Sequence, residues 1–376
     1  MKKAKLIYGC GSDSYYATQM EVPDPYTWYM DSNGKTHIIL SALEVGRGRK
    51  EAQVDNVHAM SEIVESIKNN GGKGATVDQI IWLILQDAPD VVEVPEDFPA
   101  GIFTKLQKND IPLKVTSDFL FPERAIKSAD EVEKIRTAQH INQQGFARAF
   151  EILKQADIAK DNKLMWQGAV LTSEILRGAM NAKLAELGSV PMEGGPIVAC
   201  GAQGADPHER GHGALFANEF IIIDSFPRAS NFYYGDLTRT VLKGTPTQWH
   251  LDVYEAVKAA QQVGCDTIKE GISGADVHIA VDKILTDRGF DTGTDKNGNP
   301  YGFFHGTGHA LGLDVHDKGP GVSPRNSNPL KSNMVVTVEP GLYYAGKGGV
   351  RIEDIVAVTK NGIDNLTTLP KELVID

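Results

Sequence analysis

Phe303–Asp317 reads FFHGTGHALGLDVHD, and no other stretch of the chain concentrates so much chemistry. His305, His309 and His316 fall within a dozen residues, and Asp314 and Asp317 accompany them. Glycines between them permit tight backbone conformations and close approach of other groups. Imidazoles beside carboxylates point to metal binding, proton transfer or both. A lone histidine is more often structural than functional, so the stretch decides the fold only if partners lie elsewhere in the chain.

Four carboxylates answer that condition. Asp224 ends the apolar run FIIID, Asp236 begins DLTRTVL, and Glu339 ends MVVTVE before Pro340-Gly341. Glu353 sits inside VRIEDIVAV, where strand alternation places Arg351, Glu353, Ile355 and Ala357 on one face. Any one of these acids alone reads as a turn cap. Together they are charges at the ends of buried strands, which are costly unless paired or metal-bound. A carboxylate-rich set with an imidazole suits hard or borderline divalent ions such as Mn, Co, Fe or Zn. Five ligands exceed the needs of one open catalytic ion, whereas two ions roughly 3.5–4 Å apart use them naturally and hold a hydroxide between them.

Five segments now stand in order: IVACGAQGADPH, IIID with GDLTRTV, HGTGHALGLDVHD, VVTVEPGLYY and GGVRIEDIVAVT. Their sequence resembles the pita-bread metallopeptidases, which include methionine aminopeptidase, Xaa-Pro aminopeptidase and Xaa-Pro dipeptidase. The resemblance covers most of residues 128–376. It implies an α+β fold, a pita-bread catalytic domain with two pseudo-symmetric halves. The N-terminal region more weakly resembles the creatinase-like α/β domain of the proline-directed members. By the same resemblance Asp224, Asp236, His309, Glu339 and Glu353 are metal ligands, with Asp236 and Glu353 bridging, Asp224 on one ion, and His309 with Glu339 on the other. His208, His305 and His316 would line the active site as substrate-binding or proton-transfer groups, and Glu339 would take the proton of the attacking water. The implied cofactors are two divalent ions, manganese first, with cobalt, zinc and iron also compatible. The implied activity is exopeptidase hydrolysis of Xaa-Pro bonds in short proline-containing peptides. The extra N-terminal domain and the proline-type histidine loop disfavour methionine aminopeptidase. The modest N-terminal domain leans towards a dipeptidase over an aminopeptidase, and a homodimer is the commonest assembly.

Three departures from the family pattern bear on the substrate site. Asp224 and Asp236 stand twelve positions apart, one more than is usual, so a bulge or longer loop is expected between them. Asp224-Ser225-Phe226-Pro227-Arg228 replaces a small glycine-containing turn, and Ala310 stands where relatives often carry Gly or an aromatic residue.

A rival motif is also present. His208-Glu209-Arg210-Gly211-His212 matches the H-E-x-x-H zinc signature, which works only on a helix. Pro207 and the glycines at 201, 204, 211 and 213 argue against one. The other alternative is a non-catalytic binding protein on the same fold, since fold alone does not establish activity. Relatives of that kind lose metal ligands, and all five positions are filled here. The same retention counts against creatine amidinohydrolase activity.

The rest of the chain supplies the frame. Its 376 residues suit two domains, and a 41% hydrophobic, 23% charged composition is ordinary for a globular protein. A net charge of −11 argues against nucleic acid or an anionic membrane surface as the main partner. Cys10, Cys200 and Cys265 form no CxxC, and the N-terminus has no apolar signal region, so a cytoplasmic protein is expected. Residues 1–120 read as a small α/β unit with strands at Lys5–Tyr8, His37–Leu40, Val91–Val94 and Leu113–Val115 and helices at Glu51–Asn69, Ile80–Leu85 and Gly101–Lys108. Asp118–Arg124, DFLFPER, reads as the connector, and the linker is set at 121–127 before the catalytic domain at 128–376. Ser128 with Glu131 forms a capping box for a helix running to about Leu153. Further helices are expected at Trp166–Leu187, Gln248–Lys269 and Gly274–Arg288, with strands at Ile197–Ala199, Phe220–Asp224, Asp236–Leu242, Met334–Glu339 and Val350–Val358. That order suggests two similar halves packed on one sheet.

Overall fold

In a computed structural model that describes every residue except Ser117, Asp118 and Glu193, the short apolar runs near the N-terminus form one mixed sheet. Asp118, where the connector was expected to begin, is therefore outside the described residues. Chain contacts separate two units, Met1–Pro122 and Glu123–Asp376.

The first unit is a six-stranded sheet in the order Asn56–Ala59, Thr36–Leu40, Tyr26–Met30, Lys3–Gly9, Val91–Val94, Leu113–Val115. The middle pairs are antiparallel, and the outer ones are parallel. Alternation splits neighbouring residues between two apolar layers. Leu6 and Ile39 pack with Ile63, Ile80 and Leu106 of the helices on one face, while Ile7 and Ile38 join Trp28 and Phe121 on the other. Two expectations need correction here. The helix expected at Glu51–Asn69 begins only at Met60, because Asn56–Ala59 is a parallel edge strand and Val45–Glu51 a separate helix. Val54 and Val57 fit helical spacing, yet Val57 pairs in register with Ile38; sheet packing overrides local periodicity. Tyr26–Met30 was not anticipated, since a central strand buried on both faces lacks alternation.

The second unit contains two similar halves. The first pairs helices Ala129–Gln155 and Ser173–Glu186 with the antiparallel strands Ile197–Cys200, Ile221–Ser225 and Leu237–Val241. The second pairs helices Gln248–Thr267 and Gly274–Asp287 with strands Val335–Val338, Asp354–Thr359 and Gly362–Asn365. The Ser128 capping box forms, with Glu131 N donating to Ser128 Oγ at 3.2 Å and Ser128 N to Glu131 Oε2 at 2.7 Å. The second helix starts at Ser173, not Trp166; Leu164–Trp166 and Ala169–Val170 form a hairpin, with positive φ at Gln167 and Gly168. The run Val350–Val358 is likewise two strands, Gly348–Arg351 and Asp354–Thr359, interrupted at Ile352-Glu353. Nor do the halves share one sheet. Each keeps its own ladder, and Glu353 N donates to Thr238 O at 3.1 Å where they meet. Among the described residues no helix is long and apolar enough to cross a membrane.

Candidate metal centre

The strand registers bring the four carboxylates together. Asp224 sits in its strand opposite Ile197 and Thr238, and Asp236 immediately precedes the strand that carries Thr238. Glu339 follows Val335–Val338, and Glu353 occupies the break between its two strands. All four line a cavity of about 830 Å³ together with His208, His305, His309 and His316. The loop between Asp224 and Asp236 is indeed elaborated: Arg228–Ala229 pairs with Ser189–Val190, Phe232 adopts φ 74°, and Gly235 N donates to Pro227 O. Phe226 of this loop joins Phe304 and Val315 in the cavity wall.

At the centre, Asp236, His309 and Glu353 offer ligand atoms that all lie within 4.8 Å of one another. His309 Nε2 stands 3.5 Å from Asp236 Oδ2 and 3.4 Å from Glu339 Oε1. Its Nδ1 lies 3.1 Å from the Ala310 carbonyl, which can only accept, so Nδ1 carries the proton and the Nε2 lone pair faces the two carboxylates. Desolvation holds this imidazole below its ordinary pKa, which favours the neutral form. Burial, and then the neighbouring carboxylates, push Asp236 and Glu353 well above the usual carboxylate range. Burial raises Glu339 to about 7, with Arg351 opposing the shift. Asp224 Oδ1 is buried without a hydrogen-bond partner. A cation bound among these groups would replace the protons that burial and mutual repulsion otherwise make the acids retain, and would take the Nε2 lone pair. The donor set therefore fits divalent metal.

Residues the sequence did not single out hold this set in place. Thr238 Oγ1 donates to Glu353 Oε2 at 2.8 Å and accepts from Arg351 Nε at 3.2 Å. Thr337 Oγ1 donates to Glu339 Oε1 at 3.2 Å and accepts from His309 N at 3.0 Å. Both threonines lie two positions from a carboxylate, so strand alternation was the available signal. Arg351, already noted beside Glu353, donates from Nη2 to Asp224 Oδ2 at 2.7 Å and from Nη1 to Tyr343 Oη at 2.9 Å. Tyr343 Oη lies 3.0 Å from His305 Nε2, and His305 Nδ1 lies 2.7 Å from the Gly306 carbonyl. Both ring nitrogens of His305 are thus engaged by the protein. Burial, then Arg351, lowers its pKa to about 4. His316 packs edge-on against His309, with ring centroids 4.3 Å apart.

The H-E-x-x-H segment is not helical. A 3-10 turn ends at Ala205, and Gly211 adopts φ 80° where a Cβ would meet Val198 O at 1.7 Å. His208 lines the cavity, whereas the His212 side chain is 74% exposed. The two histidines share no helix face, so the geometry this zinc motif requires is absent.

Comparison with known proteins identifies the family and the fold. Residues 133–360 match metallopeptidase family M24. An uncharacterized peptidase of Bacillus subtilis is 33% identical over 254 residues, and the match spans 67% of this chain and 65% of that protein. A Xaa-Pro dipeptidase of Pyrococcus horikoshii is 28% identical over 283 residues, 75% of this chain and 74% of its own. In fold, the chain resembles an X-Pro aminopeptidase from Thermotoga maritima with a TM-score of 0.81 at 24% identity, covering 99% of this chain and 97% of that one.

Proposed function

The chain belongs to metallopeptidase family M24, and from that premise we propose that it hydrolyses Xaa-Pro bonds in short peptides at a dinuclear metal site. The observation that carries this reading is the placement of His309 Nε2 3.5 Å from Asp236 Oδ2 and 3.4 Å from Glu339 Oε1 inside a buried carboxylate set. In the proposal Asp224, Asp236, His309, Glu339 and Glu353 hold two divalent ions, manganese first among Mn, Co, Zn and Fe. Such ions lower the pKa of a bound water and polarise a scissile carbonyl.

The chain's own groups supply the remaining chemistry. Glu339, oriented by Thr337, takes the proton of the attacking water. A bond to proline leaves a secondary amine that must be protonated on departure. His316 is positioned to supply that proton, because it stands beside His309 in the cavity wall with no side-chain hydrogen bond among the described residues. His208, which lines the same cavity, contacts substrate, while His305 and Tyr343 brace each other in its lining. Phe226, Phe304 and Val315 offer the apolar surface a pyrrolidine ring requires.

His316→Ala is expected to lower turnover about 100-fold while metal per chain stays at the wild-type level. Metal analysis beside steady-state kinetics checks this, and loss of metal would reassign His316 as a ligand. The reading as a whole is tested with manganese-loaded protein on leucyl-proline and on a longer peptide beginning Leu-Pro. A prolidase-like enzyme, the assignment favoured by the Pyrococcus relative, cleaves the dipeptide at least about tenfold more efficiently, a difference of about 1.4 kcal/mol. Preference for the longer peptide would make it an aminopeptidase. No turnover with Mn, Co, Zn or Fe would leave a non-catalytic binding protein. Three unpaired cysteine thiols suit the reducing cytoplasm, and a homodimer is the proposed assembly.

A further inference from the structure

The histidine loop contains a charge that the proposed chemistry does not use. Asp317 follows His316 directly, and its carboxylate is turned inward with 2% of the side chain exposed. Arg124 Nη2 donates to its Oδ1, as does Lys318 N at 2.8 Å. Lys127 Nζ stands 3.3 Å from its Oδ2, and Leu313 N donates to the same oxygen at 3.3 Å. Arg124 and Lys127 are each 1% exposed, and Arg124 also donates to Asp314 Oδ2 at 2.8 Å. One carboxylate is thus gripped by two buried cations and by the loop's own backbone.

The loop is wound around that carboxylate. Asp317 N donates to Ala310 O at 2.9 Å, closing the chain from Ala310 to Asp317 into a ring. Gly312 leaves room for it, since a Cβ there would lie 2.0 Å from Asp317 Oδ2 and 3.0 Å from Lys127 Cε. His309 and His316 precede the two ends of this closure. His309 has independent support, because His309 N donates to Thr337 Oγ1 at 3.0 Å and Thr337 N donates to His309 O at 2.9 Å. Among the described residues His316 has no comparable tie, and it is held by its ring contact with His309 and by the backbone of Asp317. A buried carboxylate held by a charge-assisted bond from Arg124 Nη2, by a second cation and by two backbone N–H groups is a rigid anchor.

We propose that Asp317, held by Arg124 and Lys127, is a positioning residue that aims the His316 imidazole at the departing amine. The inference rests on the peptidase reading and on the role assigned there to His316. It makes Asp317 act through His316 and not through the metal ligands.

A double-mutant cycle on manganese-loaded full-length protein with leucyl-proline tests it. Asp317→Asn is expected to lower kcat about 10–100-fold, with KM within about twofold and metal per chain unchanged. In the His316→Ala background the same substitution should change kcat by less than about twofold, since residues acting as a unit are not additive. Removing the negative charge leaves two buried cations, so thermal unfolding is recorded for each variant. Should Asp317→Asn fail to fold, Arg124→Lys carries the test, because it keeps the charge and loses the guanidinium Nη2 that donates to both Asp317 and Asp314. It should lower kcat several-fold in the wild-type background and leave it unchanged beside His316→Ala. Equal losses in both backgrounds, metal loss in step with activity, or an unchanged kcat would overturn the inference. An inactive wild type would instead overturn the peptidase reading and this inference with it.

Discussion

Asp236→Ala or Glu353→Ala should abolish peptide hydrolysis, lowering kcat on the order of 10³-fold or more, beyond the roughly 10–100-fold cost of losing an outer partner, and should cut the metal bound per chain. The two residues converge with His309 within 4.8 Å, at 3% and 2% exposure, so each contributes a buried ligand oxygen at the centre of the set. If both ions share these groups, as proposed, a single substitution empties or distorts both positions. The expected contrast is His212→Ala, which removes an exposed side chain and should leave activity and metal content intact. Metal analysis and kinetics on the three variants decide the matter. Wild-type turnover in either carboxylate variant sinks the dinuclear reading, and loss of activity in His212→Ala alone would revive the mononuclear zinc motif.

The metal-free protein should lose stability as pH rises from about 5 to above 7, and divalent metal should restore it at the upper end. Glu339 is raised from an ordinary 4.5 to about 7, and Asp236 and Glu353 are raised well above their usual range, burial being the largest cause in each. Between the ordinary and the raised values, the folded protein holds protons that the unfolded chain has released. Stability therefore falls with increasing pH across that window, the reverse of a salt-bridged carboxylate. A shift of this size is worth a few kcal/mol, on the order of 1.4 kcal/mol per pH unit per group. Ions that bind only the folded state oppose the loss by mass action. Urea denaturation of chelator-treated protein at pH 5, 6, 7 and 8, with and without manganese, measures both effects. A midpoint that is flat or rising over this range in the metal-free protein would contradict the buried-carboxylate electrostatics.

The elements legible from sequence were those with a local signature. The capping box at Ser128 and Glu131 reports the start of a long helix because both groups of the reciprocal hydrogen bond are three residues apart. The apolar runs ending in Asp224 and Glu339 were legible as strands for the same reason. Elements defined by distant partners were not. Tyr26–Met30 carries no alternation because it is covered on both faces, and Val57 follows helical spacing while pairing with Ile38 in a parallel edge strand. The break at Glu353 was hidden inside what reads as one continuous strand, although placing Arg351 and Glu353 on a common surface agrees with the cavity they both line.

The site divides in the same way. Residue types at the ends of apolar runs pointed to the carboxylates and to the histidine loop, and the family resemblance named the ligand set and His208. They did not indicate which histidine nitrogen faces inward or which groups hold the acids still. Those depend on the Ala310 carbonyl beside His309 Nδ1, on Thr238 and Thr337, and on an arginine that spans from Asp224 to Tyr343.

FFHGTGHALGLDVHD, taken by itself, determined that this chain carries a histidine-rich loop with room for tight turns, and with the other motifs it determined the family. The resemblance separated His309 from His305 and His316, and tertiary structure alone supplied the partners that each residue of the loop meets. His309 meets Asp236, His305 turns to Tyr343, and Asp317 folds back onto Arg124 and Lys127 from far earlier in the chain. Spacing along a chain records only local geometry. The role of each side chain here is set by partners that lie within a few ångströms only after the chain has folded.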